Sequence, residues 1–93
     1  MNYSHTKTME IRGIRLDEII TYFEQISGSK SVSAHGRSSV ESKHWYVDLL
    51  PEESFTFMHS DIPVVHFTIF ANDQAVLDDV IKAIRLKTFR AGG

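Results

Sequence analysis

The sequence predicts an α+β fold of two layers, an antiparallel sheet with two helices on one face, in the element order β-α-β4-α. Three observations carry that expectation. Two segments, one near each end, repeat apolar residues at helical spacing. The stretch between them alternates apolar and polar residues with period two. The connections inside that stretch are too short for crossovers, so neighbouring strands should run antiparallel.

Taken in order, Thr8-Met9-Glu10-Ile11-Arg12 alternates as a half-buried strand does, and Gly13 ends it. Leu16, Ile19, Ile20, Phe23 and Ile26 then trace one helix face. Asp17 and Glu18 fall in the first turn, where they suit the positive end of the helix dipole. Gly28 follows at a capping position. Residues 27–42 hold seven serines. Within them 29–35 reads as a short strand centred on Val32, and 36–39 as a turn or mobile loop.

From Lys43 the pattern is firmly β. Trp45, Val47 and Leu49 alternate with His44, Tyr46 and Asp48. Pro51-Glu52-Glu53-Ser54 reads as a turn, Phe55-Thr56-Phe57-Met58-His59 as a strand, and Ser60-Asp61-Ile62-Pro63 as a second turn. Residues 64–71 form a third strong strand with Val65, Phe67 and Ile69 on one face. These three strands are expected to pair as a meander, with Trp45, Val47, Phe55, Phe57, Val65, Phe67 and Ile69 all facing the core. Asn72-Asp73 supplies an N-cap for the last helix, whose stripe is Leu77, Val80, Ile81 and Ile84. Leu86 and Phe89 fall off that stripe. Either the helix ends near Lys87 or these two residues form a second contact surface. Residues 1–7 and 90–93 read as tails.

Length and composition narrow the function classes. Ninety-three residues suit a single domain with one thin core. There is no cysteine, which removes disulfides, thiolate metal sites and thiol nucleophiles, and the chain reads as cytoplasmic. The net charge of −2 gives no electrostatic argument for nucleic acid. No segment approaches the ~20 apolar residues of a membrane span, and the polar N-terminus is not a signal peptide.

A family resemblance rests on the run from Ile14 through Leu16, Tyr22-Phe23-Glu24 and Gly28. It continues through Trp45-Tyr46-Val47-Asp48-Leu49-Leu50-Pro51, then Ser60-Asp61-Ile62-Pro63 and the terminal Arg90-Ala91-Gly92-Gly93. From about residue 9 to 93 the chain resembles the C-terminal domain of MoaD-related proteins, relatives of the molybdopterin synthase small subunit. In those proteins the domain follows a ubiquitin-like one. The resemblance implies a TATA-binding-protein-like, helix-grip-like fold and a setting near molybdopterin or sulfur-carrier proteins. It implies no established activity for the domain itself. The chain is expected to carry this domain alone, so sulfur-carrier function does not transfer with it by domain content, and the fold name does not imply DNA binding.

Several residue groups are candidate sites, each with a plainer explanation. Lys82, Arg85, Lys87 and Arg90 make a basic end that either offsets the helix dipole or docks an acidic partner, with Leu86 and Phe89 as apolar anchors. Trp45, Phe55, Phe57, Phe67 and Leu77 are expected to line a pocket between sheet and C-terminal helix, if a pocket is left there. The Gly92-Gly93 end matches the tail of ubiquitin-like carriers, in which side chains would block the activating enzyme's channel; two glycines are a weak signal, and a plain tail ending in two small residues is the favoured reading. His44 and His66 lie on the outer sheet face, without the spacing that marks a metal site. His59-Ser60-Asp61 is no triad, because adjacent strand residues point opposite ways, and His59 reads as a rim residue of the core face. The loops Gly28-Ser29-Lys30-Ser31 and His35-Gly36-Arg37-Ser38-Ser39 lack the Walker spacing and read as connections. Asp17-Glu18, Glu52-Glu53 and Asp78-Asp79 sit where local structure explains them.

No catalytic residue set, cofactor or metal is expected. The leading expectation is a non-catalytic interaction module with a protein partner. The alternatives are a small apolar-ligand binder and a carrier acting through Gly92-Gly93.

Overall fold

The computed structural model describes residues 4–26, 30–34 and 37–89. Chain order is β1 (His5–Arg12), α1 (Leu16–Gln25), β2 (Lys30–Ala34), β3 (Arg37–Glu41), β4 (Trp45–Leu49), β5 (Glu53–Phe57), β6 (Ser60–Ala71) and α2 (Gln74–Thr88). All strand pairs are antiparallel, in the order β1-β6-β4-β3-β2, with β5 also paired to β6. This is the expected α+β class with both expected helices, but the described residues form six strands instead of the expected five, and β1 begins at His5, inside the stretch 1–7 expected to be a tail.

The part expected to be a turn at 36–39 is different. Residues 37–41 form β3, and Val40 sits opposite Val47 with both fully buried. Serine is a weak strand signal, but Ser38 and Val40 alternate onto the buried face, and that period outweighs composition.

The expected meander is also corrected. β4 and β5 do not pair with each other; both pair with β6, end to end along the same edge. The segment expected to reverse at 51–54 instead continues in the same direction past a break at Leu50-Pro51-Glu52. Leu50 keeps contact across the break by donating its N–H to the His66 carbonyl at 3.0 Å. The reversal occurs later, at Met58-His59, whose φ values of 50° and 68° fit a two-residue hairpin turn. Ser60-Asp61-Ile62-Pro63 is therefore strand and not turn.

The break changes which face β5 presents. Leu49 pairs with Phe67, but Glu53 pairs with Val64, so four steps on one strand match three on the other. One extra residue is accommodated, as in a β-bulge, and every later side chain changes face. Phe55 and Phe57 consequently share the outer face with His66, not the core face with Trp45, Val47 and Leu49. Phe55 is half-buried and Phe57 is 59% exposed.

The core lies between the sheet's inner face and the two helices. Ile19 and Phe23 of α1 and Leu77, Val80 and Ile84 of α2 pack over Val40, Trp45, Val47, Leu49, Val65, Phe67, Ile69 and Ala71. Phe23 meets Phe67 edge-on at 5.2 Å between centroids and Trp45 at 6.0 Å. Gly13 makes the reversal from β1 into α1 at φ +87°, and its N–H is accepted by the Pro63 carbonyl at 2.8 Å. A left-handed backbone of that kind favours glycine over any L side chain.

Candidate functional site

The C-terminal half of α2 is the first candidate. Asp73 caps the helix by accepting the Val76 N–H at 2.8 Å, as the sequence suggested. Leu77, Val80 and Ile84 turn inward and are buried. At about 100° per residue, Leu86 then points away from the core. It is 70% exposed, and Phe89, which leaves the helix with extended backbone, is 77% exposed. The helix thus runs to Thr88, just beyond Lys87, and Leu86 and Phe89 make a second surface.

These side chains border an open groove of about 450 Å³ lined by Asp78, Ile81, Lys82, Arg85, Leu86 and Phe89. Four of the five residues expected to dock a partner are brought together there; Arg90 lies outside the described residues. Lys87 serves a different purpose: its Nζ donates to Gln25 Oε1 at 3.0 Å and ties α2 to α1. The sequence reading missed Ile81 as a floor residue. Its signal was the i, i+4, i+8 spacing of Ile81, Arg85 and Phe89, which places them on one flank.

The outer face of the sheet is the second candidate. His66 on β6 lies between two carboxylates, with Nε2 2.9 Å from Glu10 Oε1 and Nδ1 3.3 Å from Glu53 Oε2. Arg12 Nε donates to the other Glu10 oxygen at 2.7 Å, and its guanidinium sits 5.1 Å from the Phe55 ring centroid. The Arg12 hydrogen bond first, and then the His66 one, hold the Glu10 carboxyl below its ordinary value. The network joins β1, β6 and β5. Among the described residues no group of three or more His, Asp or Glu is placed to hold a metal ion.

His44 and His66 do not meet. His44 is beside Asn72, with ring Nδ1 3.1 Å from the amide nitrogen. His66 is six residues earlier on β6, about 20 Å away at strand spacing. His59 occupies the hairpin turn instead of the rim of the core. The five aromatic and aliphatic residues expected around one pocket are likewise divided. Trp45, Phe67 and Leu77 are packed in the core at 3% exposure or less. Phe55 pairs with Ile62 while Trp45 pairs with Ala71, nine residues apart on β6 and so about 30 Å. The bulge had also turned Phe55 and Phe57 to the other face. Gly28, Ser29, His35, Gly36, Gly92 and Gly93 lie outside the described residues.

A family model described as archaeal MoaD-like protein matches residues 7–93, and the chain belongs to that family. The resemblance to MoaD-related proteins read from the motifs therefore holds. No curated protein matches the chain significantly. No helix among the described residues is long and apolar enough to cross a membrane.

Proposed function

We propose that the protein is a non-catalytic docking module that works beside a molybdopterin or sulfur-carrier protein and holds its partner in the groove of α2. The observation that carries this is the exposure of Leu86 and Phe89 side by side in that groove, flanked by Lys82 and Arg85. Large apolar residues gathered on a surface and rimmed by charge mark protein contacts. The membership of the MoaD-like family supplies the setting. The TATA-binding-protein-like, helix-grip-like arrangement that the resemblance implies is compatible with one sheet holding two helices on a single face, which leaves the far side of α2 open to a partner. The basic rim favours an acidic partner surface.

The test is a titration of isotope-labelled protein with a MoaD-type sulfur-carrier protein, followed by amide NMR. The amides of 81–89 should shift on binding, and Leu86→Asp should abolish the shifts while leaving the rest of the spectrum in place. Absence of shifts in the unaltered chain would remove the reading. A second reading, carriage through Gly92-Gly93, draws on the family match extending to residue 93. It is checked by mass spectrometry of the native chain for a terminal adenylate or thiocarboxylate.

A further inference from the structure

We propose that the same groove also accepts the β5–β6 hairpin tip of a second copy of this chain, giving a reciprocal dimer. The inference rests on the docking reading of the α2 groove and adds a specific occupant to it.

Four large hydrophobic side chains are exposed among the described residues, and they form two pairs of opposite shape. Leu86 and Phe89 line the concave groove. Phe57 and Met58, 59% and 80% exposed, form the convex end of the hairpin. The hairpin is an arm. The β1 ladder ends at Arg12 opposite Val64, so Ser60, Asp61 and Ile62 continue about 10 Å past it, paired only with β5. A two-stranded ribbon is marginal in water without a surface to pack on.

The turn itself indicates that its residues answer to something besides turning. Both central positions have positive φ; His59 belongs to the residue types that tolerate it, but it is uncommon for a methionine such as Met58. An 80% exposed methionine in a left-handed position gains nothing from its own fold; its flexible apolar side chain suits insertion into a partner's groove.

Charge agrees with shape. Between Lys43 and Lys82 the sequence has no lysine or arginine, and the arm carries Asp61, with Glu53 at its base. The groove is lined by Lys82 and Arg85, with Asp78 as its one carboxylate. Each copy therefore has an apolar knob bearing one carboxylate and an apolar groove whose lining is net positive. Knob and groove on one chain close into a two-fold dimer when the contacts are reciprocal.

Analytical ultracentrifugation of the full chain from micromolar to millimolar concentration tests this. A monomer–dimer equilibrium is expected. Leu86→Asp in the groove, and Phe57→Ser with Met58→Ser on the arm, should each weaken it at least about 30-fold. Mixing the two variants should restore association beyond either alone, because one intact knob then meets one intact groove. That recovery also shows that both variants fold. A monomer at every concentration, or a dimer indifferent to both variants, would overturn the proposal. So would an open-ended series of oligomers. A monomer that still shows Leu86-dependent shifts with a carrier protein would leave the docking reading standing and remove only the second copy.

Discussion

Glu10 illustrates how single residues tie the sheet together. It accepts from Arg12 within its own strand and lies 2.9 Å from His66 on the neighbouring one. Its carboxyl is held below the ordinary value of 4.5, chiefly by the Arg12 hydrogen bond. A carboxyl whose folded pKa is depressed adds stability above its unfolded pKa. That contribution is lost as pH falls through the folded pKa, in the acid range below 4.5. Replacing Arg12 with Gln should therefore raise the Glu10 midpoint, as read by carboxyl carbon NMR. A midpoint that does not move would assign the depression to something other than Arg12. The residues of this network were each visible in the sequence, but not as a group. Glu10 and His66 are 56 positions apart, and Glu53 reaches the same face only after the bulge.

At the scale of elements, the two helices are started in different ways. Asp73 caps α2 from three residues away, a local relation that sequence spacing shows. Arg15 stands at the N-cap of α1 with no side-chain cap of its own. Glu52, 36 residues downstream of Leu16, fills that need: Oε1 accepts the Leu16 N–H at 2.8 Å and Oε2 lies 3.4 Å from Arg15. The break between β4 and β5 is what brings Glu52 there. A carboxylate on exposed N–H groups also complements the positive end of the helix dipole. Glu52→Ala should lower stability by about 1 kcal/mol in urea unfolding. Glu52→Gln, which keeps an acceptor and loses the charge, should lower it less. Equal losses would mean that the charge contributes nothing.

For the molecule as a whole, the thin core makes its largest side chains decisive. Phe23 is fully buried and touches two aromatic rings from different strands. Phe23→Ala should cost about 3–5 kcal/mol, a large part of the roughly 5–15 kcal/mol typical of a small domain. Thermal unfolding should then begin near room temperature. A shift of only a few degrees would mean that the core closes over the cavity. The face opposite the helices has no such core, and there the arm and the outer network stand in solvent.

The sequence by itself determined the α+β class, both helices and their buried stripes, the strong strands, the Asp73 cap and the family. All of these depend on local period or on motifs within a short span, and side-chain direction follows the chain's own geometry there. The off-stripe position of Leu86 and Phe89 was visible for the same reason. Tertiary structure alone decided the strand order, the reversal at Met58-His59 and the face of Phe55 and Phe57. A strand's alternation says that two faces exist but not which one is buried, and one extra residue at Leu50-Pro51-Glu52 exchanges them. The pairing of β4 and β5 along the same edge of β6 fixed that residue's effect. It turned two phenylalanines expected in the core into part of an exposed arm.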